Sequence, residues 1–114
     1  MQNDSKNLLT LKTPYATYKV SLGLDTYADN KRLAILITDW EDGEEEPFAP
    51  LTVNIPDEAV SGANCNFVDT NNLPYICTFI EENNLGKSTG RFASSGYCTY
   101  PEYQFNIDEI IKYI

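Results

Sequence analysis

The 114 residues carry a net charge of −9 and 42% apolar side chains, including eight Tyr, five Phe and one Trp, enough for one hydrophobic core and too apolar for intrinsic disorder. Histidine is absent, which removes the commonest general base, the commonest metal ligand and every Ser-His or Cys-His nucleophile pair. The charge is also uneven: Leu33 to Gly86 holds eleven Asp and Glu and no Lys or Arg, with six of the acids between Asp39 and Glu46.

In chain order, residues 1–7 are polar and expected to fray, and Leu8, Leu9 and Leu11 open a short apolar segment. The start lacks the pattern of a signal peptide and no apolar run approaches the roughly 20 residues of a membrane span, so the expectation is a cytoplasmic protein off the membrane. From Tyr15 to Leu24, Tyr18, Val20, Leu22 and Leu24 alternate with Thr17, Lys19, Ser21 and Gly23, the period of a half-buried strand. After turn residues Asp25 to Asn30, the run Leu33-Ala34-Ile35-Leu36-Ile37 predicts a central strand, paired with the first as a hairpin. Glu41 to Glu46 reads as a loop closed by Pro47, and Leu51 to Ile55 as an edge or short strand bracketed by Pro47, Pro50 and Pro56. Asp57 to Gly62 suggests one helical turn, and Asn64 to Asp69 a short strand or extended link.

The clearest helix follows, with Asn71 and Asn72 as cap donors of oxygen, Pro74 in the first turn, Ile76, Phe79 and Ile80 on one face, and Asn83 to Gly86 as its stop. Lys87 to Phe105 predicts one or two strands interrupted at Gly96 and Pro101. Asn106 caps a terminal helix with Asp108 and Glu109 in its first turn and Ile107, Ile110, Ile111 and Ile114 as its stripe. The fold class expected is α+β: one mainly antiparallel sheet of four or five strands with two helices packed on one face, in a single domain.

The segments Leu73-Pro74, Phe79-Ile80-Glu81-Glu82-Asn83, Thr89-Gly90, Ser95-Gly96-Tyr97-Cys98 and Tyr100-Pro101-x-Tyr103-x-Phe105 resemble a family of small acidic bacterial proteins carried on conjugative elements and prophages. The likeness extends weakly back to about Tyr15. That family is a domain of unknown function, so the resemblance implies a genomic setting and supplies no catalytic residue. Small acidic proteins of mobile elements include inhibitors of restriction and CRISPR nucleases, which is an analogy of setting alone.

Three readings compete for Asp39, Glu41, Asp42, Glu44, Glu45 and Glu46. Their carboxylates could occupy a basic groove that otherwise holds a nucleic-acid backbone, steered by long-range attraction. A helix-loop-helix calcium site fails, because counting from Asp39 the sixth position is Glu44 where Gly is required. The third reading is a solvated loop that discourages edge-to-edge association. Trp40 beside these acids has the composition of an anchor for a basic partner, and equally of a strand end held in the core. Glu81-Glu82 and Asp57-Glu58 read as surface residues, since neighbours on a helix do not share a face. Of Tyr97, Tyr100 and Tyr103, at least one belongs to the core by alternation. Lys87-Ser88-Thr89-Gly90-Arg91 lacks the order of a phosphate-binding loop. Cys65, Cys77 and Cys98 cannot all pair within one chain and read as reduced apolar residues.

The expectation is therefore a non-catalytic binding protein whose contact surface is Asp39, Trp40, Glu41, Asp42, Glu44, Glu45, Glu46, Glu81 and Glu82. Its partner would be a basic protein surface such as the groove of a defence nuclease. No cofactor, no metal and no direct nucleic-acid binding are expected. The alternative is an accessory interaction module without nucleic-acid mimicry.

Overall fold

A computed structural model of the chain describes residues 7–40 and 43–114. It divides the strands between two four-stranded antiparallel sheets rather than one. The first has the order β1-β2-β3-β4, formed by β1 (Leu9–Lys12), β2 (Thr17–Thr26), β3 (Leu33–Asp39) and β4 (Glu46–Pro50). The second has the order β5-β6-β8-β7, formed by β5 (Thr52–Val53), β6 (Cys65–Val68), β7 (Gly86–Ser95) and β8 (Cys98–Phe105).

The expected hairpin is present, and its register pairs Val20 with Asp39, Leu22 with Ile37 and Leu24 with Ile35. Alternation then turns Val20, Leu22, Ile35 and Ile37 into the core. The run Leu33 to Ile37 is not buried on both faces, because Leu36 points the other way and stays 41% exposed.

The acidic stretch does not remain a loop as far as Pro47. Glu46 already pairs with Asp39, and β4 continues through Pro47 and Pro50. Prolines are tolerated there because β4 is an edge strand, where a missing N–H breaks no ladder. Between the pairs Thr38–Pro47 and Ile37–Ala49 one residue of β4, Phe48, has no partner, a bulge that bends the edge.

The chain changes sheets immediately after Pro50. Leu51 N–H donates to the Ile35 carbonyl at 2.8 Å, and the Ile35 N–H donates to Thr52 Oγ1 at 3.2 Å. On the other side, Asp69 N–H donates to the Leu51 carbonyl at 3.0 Å, and Thr52 pairs with Val68. Only Thr52–Val53 of the predicted strand Leu51 to Ile55 is therefore a ladder. Asn66, fully buried on β6, ties the sheets again by donating to the Leu33 carbonyl at 2.8 Å. A single sheet would leave one face of β6 in water, yet all four β6 residues are buried.

The main core joins the inner face of the first sheet to Val68, Tyr103 and Phe105 of the second. It is completed by Ile76, Phe79 and Ile80 of α1 (Ile76–Glu82) and Ile110 of α2 (Ile107–Ile110). A smaller cluster of Ile55, Phe67, Ala93 and Tyr100 lies on the opposite face of the second sheet. Residues 56–62 run past it as turns, without the helical turn expected there.

The predicted Asn71–Asn72 cap is not formed: α1 starts only at Ile76 behind Tyr75, with no side-chain cap, and Asn72 lies in the preceding turn, where the Asp69 carboxylate accepts from its N–H at 3.2 Å and its side-chain amide at 2.8 Å. Asn84 takes the left-handed φ of 56°, and Leu85 N–H closes the helix end on the Ile80 carbonyl at 2.9 Å. Asn106 Oδ1 accepts from Glu109 N–H as predicted, but Ile111 and Ile114 stay half-exposed beyond the short α2 and a following 3-10 turn at Ile111–Tyr113. Residues 1–6 lie outside the described residues, and Asn7 is held through its Nδ2 on the Lys112 carbonyl at 3.2 Å. No helix among the described residues is long and apolar enough to cross a membrane.

Gly86 marks where β7 enters the ladder opposite Phe105. A Cβ there would sit 2.8 Å from the Gln104 carbonyl oxygen, and backbone cannot yield as a flexible side chain would. Gly86→Ala is expected to cost about 1–3 kcal/mol, the range of overpacking, and denaturant unfolding would measure it.

Candidate partner-binding face

The β3–β4 end of the first sheet brings together Asp39, Glu44, Glu45 and Glu46. Asp39 closes β3 and stands between Val20 of β2 and Glu46 of β4. Gly43 takes φ +78° and donates its N–H to the Trp40 carbonyl at 3.1 Å. Glu44, Glu45 and Glu46 are exposed. Glu41 and Asp42 lie outside the described residues.

Trp40 is half-buried. Its backbone N–H donates to the Lys19 carbonyl at 2.9 Å and its indole Nε1–H to Ser21 Oγ at 2.7 Å. Ser21 is itself buried on the outer face of the sheet, so the indole lies over that face beside the acidic turn. Glu81 and Glu82 stand elsewhere, in the last turn of α1. Both are exposed, and the Glu81 carboxylate accepts a hydrogen bond from the Tyr103 hydroxyl of β8. Burial, the neighbouring Cys77 side chain and Glu81 together push the Tyr103 phenol well above its ordinary range. The seven predicted contact residues that are described thus fall into one group of five at a sheet end and one pair on a helix.

The same sheet end holds a feature that sequence reasoning missed. A cleft of about 350 Å³ is lined by Thr13, Pro14, Tyr15, Tyr18, Phe48, Asn72, Pro74 and Tyr75. Tyr18 and Phe48 stack with ring centroids 5.1 Å apart and planes tilted by 59°. Burial, then the nearby Tyr18, raises the Tyr75 phenol above its ordinary value. Alternation from Glu46, which pairs with Asp39 on the inner face, already aims Phe48 here, and the bulge lets the following Ala49 face inward as well.

Glu102 on β8 was also missed, and it is fully buried. Its Oε2 accepts from the Ser61 N–H at 2.7 Å and from Arg91 Nη1 at 3.2 Å, and its Oε1 accepts from Ser61 Oγ at 2.6 Å and Thr89 Oγ1 at 2.7 Å. Burial opposes its charge, but the Ser61 and Thr89 hydroxyls, the Ser61 amide and the Arg91 guanidinium outweigh it and hold the carboxyl below its ordinary value. This explains the segment Lys87 to Arg91: the positive φ of Gly90 sits in an irregular stretch of β7, and Thr89 and Arg91 beside it both turn to the carboxylate. The role is architectural. The signal available was the alternation Cys98, Tyr100, Glu102, which sets Glu102 inward opposite Phe67.

Tyr100 and Tyr103 are core residues, whereas Tyr97 is fully exposed at the tip of the β7–β8 hairpin. Gly96, with φ +62°, is the first of the two turn residues between the paired Ser95 and Cys98, the place where such tight hairpins use glycine. Phe92 on edge strand β7 is 61% exposed. Cys65 is buried, Cys77 and Cys98 are half-buried, and all three are free thiols. Among the described residues no three Cys, Asp or Glu side chains converge as a metal site would require.

A family model described as a domain of unknown function (DUF4313) matches residues 21–114. No match was found among the curated proteins or among the solved structures.

Proposed function

We propose that this chain, which belongs to the DUF4313 family of unknown function, is a non-catalytic binding protein whose acidic β3–β4 end docks on a basic protein surface. One observation carries the reading. Asp39 and Glu46 stand opposite each other at the end of the ladder, exposed Glu44 and Glu45 extend beyond it, and no cation occurs from Leu33 to Gly86. Such a field accelerates encounter with a positive patch and discriminates against acidic ones.

In its more specific form, the basic surface is the nucleic-acid groove of a defence nuclease, and the carboxylates stand where phosphates would. The likeness to proteins of mobile elements supports that form by analogy of setting. A second reading, an accessory module that binds by apolar contact, draws on exposed Phe92 and Tyr97 on the β7–β8 hairpin.

Capture from a host lysate with the wild-type chain and with a Glu44→Gln, Glu45→Gln, Glu46→Gln variant separates the two, followed by nuclease assays on whatever is retained. The expected result is a basic partner released by about 0.5 M salt, where the screening length falls to a few ångströms, and held about 10- to 100-fold more weakly by the variant. Capture that persists in high salt and survives the three substitutions would overturn the acidic docking reading in favour of the hairpin.

A further inference from the structure

Resting on that reading, we propose that the cleft of Tyr15, Tyr18, Phe48 and Tyr75 receives an arginine side chain from an extended segment of the basic partner. The rings offer the right surface. Tyr18 and Phe48 line the cleft together, with ring centroids 5.1 Å apart and planes tilted by 59°, and aromatic rings attract a guanidinium both by their quadrupole and by stacking. Tyr18, Phe48 and Tyr75 are packed against the main core, so three walls are ordered before any ligand arrives. Tyr15 is the free wall, 94% exposed. Its backbone is fixed by a turn in which Thr13 Oγ1 accepts the N–H groups of Tyr15 at 3.2 Å and Ala16 at 3.1 Å. A cleft of about 350 Å³ lies at the small end of side-chain and ligand sites.

Charge decides among occupants. Phe48 is two residues beyond Glu46 on β4, about 7 Å at the rise of an extended strand. Asp39 lies across the ladder from Glu46 on the inner face, because it pairs with core residue Val20. The cations of the adjoining hairpin face away. Lys12 alternates with buried Leu11, and Lys19, alternating with buried Val20, donates its Nζ to Thr10 Oγ1 at 2.8 Å on the outer face. An extended basic segment would thus seat one arginine among the rings while a second, two residues along and so also about 7 Å away, reaches Glu46 and Asp39. The recognised pattern is Arg-x-Arg.

The probe is a synthetic ten-residue peptide carrying Arg-x-Arg in a Gly/Ser background. It is compared with peptides bearing Lys-x-Lys, Gln-x-Gln or a neutral Pro-rich sequence, by titration calorimetry at low salt. The expected result is binding in the order Arg, Lys, then no detectable Gln or Pro-rich binding, weakened about tenfold by Tyr15→Ala and retained by Tyr15→Phe. Circular dichroism confirms that these variants at an exposed turn stay folded. Arg-x-Arg binding that is lost in the triple Glu→Gln variant but unchanged in Tyr15→Ala would overturn the cleft and leave acidic docking standing. Equal binding of the Gln or Pro-rich peptide, or no binding of any peptide at millimolar concentration, would also overturn the proposal, while lysate capture independently judges the wider reading.

Discussion

Phe67→Ala is expected to lower the unfolding free energy by about 3–5 kcal/mol, the range for truncating a fully buried phenylalanine. Phe67 has no exposed surface and is the most deeply buried member of a cluster whose other buried members are Ile55, Ala93 and Tyr100. That cluster is too small to collapse over the void. Its floor is the sheet itself, and its cover is the turn segment of residues 56–62, held by Arg32 Nη1 on the Ile55 carbonyl at 2.8 Å and by Ser61 on Glu102. Chemical unfolding would measure the loss. A cost below about 1 kcal/mol would mean that the outer face of the second sheet is not a packed core.

Glu102→Ala is expected to cost about 3 kcal/mol, at the low end for breaking a buried charge pair. The discount follows from exposure, since the Arg91 side chain is 44% exposed and can take up water when its partner goes. For the same reason Arg91→Ala should cost only about 1 kcal/mol, leaving Ser61 and Thr89 still donating. The carboxyl also fixes a pH dependence. Its pKa in the folded chain lies below the ordinary 4.5, so the unfolded chain binds the proton more readily. The stabilisation is complete above pH 4.5 and declines as the pH falls from there through the lower folded value. Melting temperatures of the wild type and Glu102→Gln, compared from pH 7 downward, should therefore converge in acid. Parallel curves would remove the charge from the account.

What the sequence made legible was local. Alternation in Thr17–Thr26 and the hairpin to Leu33–Asp39 follow from period-two burial between neighbours in the chain, and the stop at Asn84 and the cap at Asn106 from backbone chemistry of one or two residues. Pro47 and Pro50 point to an edge strand, but nothing within the segment reveals that such a strand runs through them, at Glu46–Pro50, as well as after them. The division into two sheets depends on β6 meeting β8, some 35 residues further along, and no short-range pattern encodes such a pairing. Glu102 was hidden for the same reason, its donors lying at Ser61, Thr89 and Arg91 on two other segments. The acidic turn was visible as composition. The aromatic cleft beside it was not, since Tyr15, Phe48 and Tyr75 approach only when three separate segments meet.

The hydrogen bonds of Ile35 to Leu51 and Thr52 have a mechanical consequence for any partner seated on the acidic turn. A pull on that turn travels along β4, from Glu46 to Pro50, and arrives at the point where both sheets are pinned to one residue. Because the turn joins β3 to β4, the load runs along both strands, and the ladder bonds of β3 to β2 resist it in shear, together rather than one after another. Tension applied at the acidic turn is thereby shared with the second sheet.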